Sequence, residues 1–324
     1  MRVLVCGGAG YVGSHMVRAL SRAGLIPVVL DNLSTGHAEA VGDAPLVRAD
    51  IRDGAALDAV FTSHDFDAVM HFSASSLVGE SMRDPLAYWD NNVGGSLSLL
   101  GAMQRAGVRR LVFSSTAAIF GEPDRALIDE TAPMRPINPY GQTKLAVETA
   151  LRDLAAAGGF ESVALRYFNA AGAAMDGGIG ESHSPETHLV PNVLRAALGR
   201  GSELKIFGAD YPTPDGTCVR DYVHVDDLAM AHLLALRTMT GGTGARAYNL
   251  GNGAGHSVAE VIEAARQVTG LPIPARVVPR RPGDPAVLVA SSTLAARDLG
   301  WKPAHSMLHD ILGSAWRWHR SPRY

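Results

Sequence analysis

A doubly wound α/β architecture, a parallel sheet flanked by helices and followed by a smaller α/β domain, is predicted by three observations. Apolar runs of strand length alternate with segments of helical period through the first half of the chain. Gly7, Gly10 and Gly13 stand between the first apolar run and the first helical segment. Asp31 closes the second apolar run. Strands alternating with helices build a parallel sheet covered on both faces, with ligands seated beyond the carboxyl ends of the strands.

The apolar stretch from Val3 to Cys6 reads as a buried strand, and Val12, Met16, Val17 and Leu20 recur at helical spacing behind it. Gly7 permits a sharp turn out of the strand. Gly10 lets backbone N–H groups approach a pyrophosphate at the helix N-terminus, and Gly13 lets helix and sheet pack closely. With Tyr11 and Val12 between these glycines, and Asp31 placed to accept ribose hydroxyls, the stretch reads as a Rossmann-type dinucleotide cradle.

Residues 27–30 and 45–49 continue as strands, and Asp50 to Asp53 close the latter before a helix around 55–61. Residues 67–72 are a strand, 73–80 a loop of small residues, and 85–106 one long helix opened by Pro85. Residues 110–115 form a strand ending in hydroxyls, 140–157 a helix, and 162–167 a further strand. Beyond Asn169 the character changes. Residues 170–184 are rich in Gly and Ala and read as an ordered loop or domain crossing. Helices are expected over 189–198, 226–236, 258–269 and 307–319, the second capped by Asp226 or Asp227. Strands are expected over 204–207 and 247–250, and turns over 208–216 and the Pro-rich 272–285. The division that follows is a dinucleotide domain over 1–169 and a smaller domain, mainly ligand-binding, over 170–324. A return of part of 223–250 to the first domain stays open.

Composition narrows the function class. The chain has 324 residues, 47% hydrophobic and 19% charged, ordinary for a soluble globular enzyme. A net charge of −3 argues against a nucleic-acid footprint or a basic membrane surface, and Arg109-Arg110 and Arg280-Arg281 are too short to be basic tracts. Cys6 and Cys218 give no disulfide framework. With no hydrophobic leader or membrane span in view, a reducing cytoplasm is the expected location.

Tyr140 and Lys144 lie four apart at a helix start, so both project from one face. An ammonium beside a phenol favours phenolate, and the expectation is that Lys144 lowers the Tyr140 pKa and makes a usable base. Thr116, after Ser114-Ser115 at a strand end, can complete a relay to a substrate hydroxyl. On an exposed helix the same Tyr/Lys pair would be plain surface; the cradle and strand-end hydroxyls favour the catalytic reading. His71, on an apolar strand, reads as core. His183 and His188 lack a nearby Cys or paired acids, so no metal is expected. Trp301, Trp316 and Trp318 read as packing or subunit contact.

The glycine fingerprint, Thr116 and the Tyr140/Lys144 pair resemble those of the extended short-chain dehydrogenase/reductases. Within them the chain is similar to the UDP-glucose 4-epimerases over almost its whole length. The matching segments are residues 7–14, Asp31-Asn32-Leu33, Gly79-Glu80-Ser81, Asn91-Asn92-Val93, Arg166-Tyr167-Phe168-Asn169, residues 219–225 and residues 280–284. The resemblance implies bound NAD, a homodimer, and interconversion of UDP-galactose and UDP-glucose in galactose metabolism. Tyr140 would take the sugar 4-hydroxyl proton as C4 gives up hydride, and the 4-keto sugar would swing about its diphosphate before hydride returns to the other face. Lys144 would hold the nicotinamide ribose and Thr116 the 4-oxygen.

By the same resemblance Asp31 and Asn32 would meet the adenosine ribose and Asp50 with Ile51 the adenine. Phe72, Ser73 and Ala74 would line the cofactor, and Asn92, Ser114 and Tyr167 would lie near its nicotinamide end. Asn169 and Arg220 would hold the diphosphate, and Arg281 with Asp284 the uridine. His188, Leu189, Phe207 and Tyr222 would wall the substrate pocket. Two departures stand out. Ser76 replaces a lysine that contacts cofactor phosphate, which implies weaker NAD retention. Leu288 replaces a tyrosine found in some members, which implies room for the N-acetyl group of UDP-N-acetylhexosamines. Pairing through helices 85–106 and 140–157 is implied too, although Leu97, Leu99, Leu100 and Val147 fit core packing equally well. A 4,6-dehydratase is disfavoured because Ala117-Ala118 stand where it needs Asp-Glu. A 4-epimerase of UDP-glucuronate or UDP-xylose, or a catalytically silent NAD-binding regulator, remain the alternatives.

Overall fold

Alternating apolar side chains give the central sheet a hydrophobic surface on both faces, and helices cover both. The structure, a computed structural model, describes residues 1–125, 127–201, 203–281 and 284–324. Seven parallel strands run in the order Gly244–Leu250, Glu161–Tyr167, Arg110–Thr116, Ala68–His71, Arg2–Cys6, Ile26–Asp31, Leu46–Arg48. The winding reverses between Arg2–Cys6 and Ala68–His71, and the crevice at that switch point is where an open parallel sheet takes its ligand. On one face Val3, Val5, Val29 and Met70 pack with Met16, Val17 and Leu20 of helix Tyr11–Arg22 and Leu228 and Leu233 of helix Val225–Arg237. On the other, Leu4, Cys6, Val28 and Leu30 pack with Leu57 of helix Gly54–Ser63, Leu99 and Met103 of helix Gly95–Arg105, and Val147 and Leu151 of helix Pro139–Ala156. Odd and even residues of one strand thus feed different cores, as the pleat requires.

A third core joins helices Leu189–Ala197, Val258–Thr269 and Leu308–Arg320 through Val190, Leu194, Val261, Ala265, Ile311 and Leu312. Small sheets stand around it. Val219–Arg220 lies between His256–Ser257 and Val287–Ala290, Leu204–Phe207 pairs with Ala275–Val278, and Asn169–Ala171 pairs with Tyr222–His224. The chain crosses between the two halves twice. Strand Leu127–Ile128 pairs with Val287–Ala290, and strand Gly244–Leu250 edges the main sheet.

Several local expectations need correction. The helix expected over 85–106 runs unbroken from Pro85 to Arg105, but within it a π-helical stretch, Trp89–Gly94, separates the turn Pro85–Tyr88 from the α-helix Gly95–Arg105. Asn91, Asn92, Gly94 and Gly95 are weak helix formers, and the wider π turn carries Asn92 inward, where it is 2% exposed. The loop 73–80 runs into a helical turn, Val78–Ser81. The Pro-rich stretch contains strand Ala275–Val278, while Pro282 and Gly283, inside the 280–284 motif, lie outside the described residues. Neither Asp226 nor Asp227 caps helix Val225–Arg237. His224 does, its Nδ1 accepting the Asp226 N–H at 3.1 Å. Asp227 instead accepts the N–H groups of Ala304 at 2.8 Å and His305 at 2.9 Å, tying a distant turn to the helix. Among the described residues no helix is long and apolar enough to cross a membrane.

Three buried histidines set the acid stability. Burial lowers His71 to about 3 and His224 and His232 to about 4. Each folded-state value lies below the unfolded one, so the stabilisation is complete above about pH 6.5 and is lost as pH falls toward 4. At pH 5 unfolding takes up about three protons, one for each of these rings. Urea melts at pH 7.5 and 5.0 check this; equal midpoints would show that the rings are protonated in the folded chain.

Candidate active site

The glycine turn is built by contact. Gly7 has φ of +77°, and a Cβ there would stand 2.5 Å from the Ser73 nitrogen. A Cβ on Gly13 would stand 2.0 Å from the Gly7 carbonyl oxygen, so the close approach required of Gly13 is to the turn itself. Helix Tyr11–Arg22 begins at Gly10 with no side-chain cap, and no side chain competes for its first N–H groups. Asp31 is locked at its strand end, accepting the N–H of Ala9 at 2.9 Å and of Leu33 at 2.9 Å. Asn32 donates to Asp50 at 2.9 Å, and the Arg52 guanidinium holds the Asp50 carboxyl well below the usual carboxylate range. Ile51 is buried beside them, while Val12 is half-buried in the first helical turn. The Phe72 ring lies 4.8 Å from that of His232, and Ser73 and Ala74 continue from it, half-buried. A turn that excludes Cβ atoms, an uncapped helix start and an anchored carboxylate fit a dinucleotide. The Tyr11 hydroxyl donates to the Gly172 carbonyl at 2.7 Å, tying this cradle to the second half.

Tyr140 is the second residue of helix Pro139–Ala156, after Pro139 in the first position and Asn138 as cap, whose Oδ1 accepts the Gly141 N–H at 2.8 Å. A Cβ on Gly141 would lie 2.5 Å from the Ala118 carbonyl oxygen, a close approach that seats the start of this helix on the turn just after Thr116. Thr116 ends strand Arg110–Thr116 and also accepts the Ala118 N–H at 3.1 Å. Lys144, 3% exposed, donates to the Ser114 carbonyl at 2.8 Å and lies 6.0 Å from the Tyr140 ring centroid. The Ser114 hydroxyl bonds the Tyr167 hydroxyl.

The expected lysine effect on the tyrosine is absent here. Burial pushes the Tyr140 phenol above its ordinary value, and the Thr116 hydroxyl opposes that. Burial also lowers Lys144 to about 7, against the pull of Glu148. Proton transfer at Tyr140 therefore depends on Thr116 and on charge brought by ligands.

Sequence reasoning missed what stands beneath the pair. Glu148 continues the face of Tyr140 and Lys144, and Arg166 clasps it with Nε at 3.0 Å and Nη2 at 2.6 Å. Their side chains are 3% and 4% exposed, and Ser115 donates to the same carboxylate. A charge inside the apolar strand run Val163-Ala164-Leu165-Arg166 was the available signal. Asn92 is spent on protein: it donates to the Ser75 carbonyl at 3.0 Å and Thr143 Oγ1 at 3.1 Å, and accepts the Ser75 N–H at 2.8 Å. It holds the cofactor-side loop on the catalytic helix. Ser76 is exposed.

In the second half, Arg220 pairs with Asp284 and donates to its neighbour's carbonyl, Val219, at 2.7 Å. Strand register sets Leu288 opposite Arg220, and Leu288 packs with Ile119, Phe120 and Phe168. The Arg281 guanidinium lies 3.8 Å over the Phe207 ring. Asn169 donates to the Asp221 carbonyl at 2.9 Å. Tyr222 departs from the expected pocket wall; it is 4% exposed within the third core because its strand faces helices Leu189–Ala197 and Leu308–Arg320. Leu189 opens the first of those helices, and His188 precedes it. The statement that His183 and His188 lack paired acids is overturned. Glu181 and Glu186 stand two residues ahead of His183 and His188 in the sequence itself, and in the structure both lie beside both rings. Trp301 and Trp318 are buried and donate to the carbonyls of Asp227 and Glu181 at 2.9 and 2.8 Å.

The NAD dependent epimerase/dehydratase family matches residues 3–251. The UDP-glucose 4-epimerase of Halalkalibacterium halodurans is 52% identical over 320 residues, 99% of this chain and 96% of that protein. That of Streptomyces lividans is 54% identical over 322 residues, again 99% and 96%. The structure of UDP-glucose 4-epimerase from Brucella ovis in complex with NAD superposes with a TM-score of 0.95 at 48% identity, over 97% of each chain.

Proposed function

The chain belongs to the NAD dependent epimerase/dehydratase family, and from that premise we propose that it is an isomerase, a UDP-glucose 4-epimerase that interconverts UDP-galactose and UDP-glucose. The observation that carries the reading is the meeting of Tyr140, Thr116 and Lys144 at the carboxyl ends of the sheet strands, next to the cradle. Gly7, Gly10, Gly13 and Asp31 would hold NAD, which would supply reversible hydride chemistry at the sugar C4. The residues of the chain do the rest. Tyr140 removes the 4-hydroxyl proton and gives it back. Thr116 holds the 4-oxygen and stabilises the phenolate. Lys144 anchors the helix face to Ser114 and presents its remaining N–H groups to the ribose side. Arg220 and Asn169 hold the diphosphate while the 4-keto sugar turns, and Arg281 and Phe207 close over the uridine end. Thr116 and Lys144 are buried while the Tyr140 ring is half-buried, which leaves the phenol open to the substrate side.

Incubation of the purified protein with UDP-galactose, first without and then with added NAD, is the test. UDP-glucose is expected in both arms, with a larger yield after NAD is added if Ser76 weakens retention. No UDP-glucose in either arm refutes the reading. Substrate breadth follows from Leu288. The wild type is expected to turn over UDP-N-acetylgalactosamine, and Leu288→Tyr to lose that activity on the order of 10–100-fold while keeping most turnover of UDP-galactose. Equal loss on both sugars would refute the assignment of Leu288.

A homodimer is proposed as well. Leu86, Trp89 and Leu97 are 75%, 39% and 51% exposed along the first of the two stretches implied in pairing, and Val78 and Met82 just ahead of it are 44% and 61% exposed. A cytoplasmic location accords with two buried, unpaired cysteines.

A further inference from the structure

The loop ahead of helix Leu189–Ala197 carries a cluster that the epimerase chemistry does not use. Glu181, His183, Glu186 and His188 offer ligand atoms that all lie within 4.8 Å of one another. His183 Nδ1 is 3.3 Å from Glu181 Oε1 and 3.7 Å from Glu186 Oε2, while His188 Nδ1 is hydrogen-bonded directly to Glu181 Oε1, a bond that an entering ion would replace. A tetrahedral ion with metal–ligand bonds of about 2.0–2.1 Å sets its ligands about 3.3–3.4 Å apart, close to these separations.

Three further features single out an ion site. The His183 Nδ1 atom is buried without a hydrogen-bond partner among the described residues, although the ring itself is 25% exposed. Glu186 is turned: its Oε1 accepts the N–H groups of Thr187 and His188, each at 2.8 Å, which leaves Oε2 facing His183. Glu181, 3% exposed, places a carboxylate against both rings. The loop is held from outside the cluster. Trp318 donates to the Glu181 carbonyl at 2.8 Å, the Tyr324 hydroxyl bonds Gly180 on both sides, and a Cβ on Gly180 would meet the Trp318 ring at 2.5 Å. The donors are therefore set before any ion arrives.

We propose that Glu181, His183, Glu186 and His188 bind one divalent transition-metal ion of the zinc class, which staples the loop that leads into helix Leu189–Ala197. Two imidazoles and two carboxylates suit such an ion and neutralise its charge, whereas Mg²⁺ and Ca²⁺ prefer all-oxygen shells. The competing arrangement is a closed salt network in which both rings are protonated.

The full chain is stripped with a chelator and titrated with Co²⁺. Visible absorption bands of tetrahedral cobalt saturating at about one ion per chain, and displaced by Zn²⁺, are expected. Zn²⁺, but not Mg²⁺, should raise the Tm of the stripped protein. His183→Gln, at the partly exposed ring, should bind Co²⁺ at least about 10-fold more weakly while keeping the fold by circular dichroism, and Glu181→Gln should behave alike where it folds. Absence of both cobalt bands and a Zn²⁺-dependent Tm rise in the wild type overturns the proposal. So does binding by His183→Gln as tight as that of the wild type.

Discussion

Tyr140→Phe is expected to lower kcat for UDP-galactose by about 10³-fold, with NAD content, far-UV circular dichroism and Tm unchanged. The substitution removes one hydroxyl from a half-buried ring and leaves the packing of Gly141 on Ala118 intact. The loss falls on kcat because the phenol acts on the 4-hydroxyl only as the C–H bond breaks. The pH profile adds a finer check. Burial raises the phenol and the Thr116 hydroxyl is the group that lowers it, so wild-type activity climbs with pH as Tyr140 ionises. Thr116→Val, without that hydroxyl, should shift the climb to higher pH, and Tyr140→Phe should lack it. A Tyr140→Phe enzyme with kcat within about threefold of wild type would remove Tyr140 from the chemistry.

Arg166→Leu carries the largest expected cost in stability, about 3–5 kcal/mol, because it leaves the buried Glu148 carboxylate, among the described residues, with Ser115 as its one hydrogen-bond donor. Urea melts at neutral pH measure it. Glu148→Leu combined with Arg166→Leu should recover much of that loss, since neither charge then needs a counterpart. The double variant also reports on catalysis. Glu148 pulls the Lys144 pKa upward against burial, so without it Lys144 loses its proton at lower pH and the pH profile of kcat changes even where the fold is recovered. If Arg166→Leu costs under about 1 kcal/mol, the buried pair is not holding helix and sheet together.

What the sequence by itself determined was whatever depends on short range. The period-2 and helical patterns place the first strand, the glycine turn and the helix after it. Gly7 is legible because one turn needs one positive φ. Tyr140 and Lys144 share a face because four residues make about one helical turn. Asn138 and Pro139 announce that helix start for the same local reason. Tertiary structure decided everything that depends on what lies across a strand ladder. Parallel register sets Ser115 beside Arg166 and Thr116 beside Tyr167, and a helix from between them delivers Glu148 to the first pair. Desolvation raises the Tyr140 phenol where a neighbouring lysine was expected to lower it, and Tyr222 lies in a core formed with helices far along the chain. The weak helix formers of Trp89–Gly94 permit a π turn, but the partners that use it, the Ser75 carbonyl and the Thr143 hydroxyl bonded by Asn92, lie outside 85–106. The Glu181-x-His183 and Glu186-x-His188 spacing was legible in the sequence, and what the packed chain adds is Trp318, 137 residues away, donating to the Glu181 carbonyl and holding that loop. Local periodicity is a property of neighbouring residues; electrostatics and satisfaction of buried polar groups belong to the packed whole.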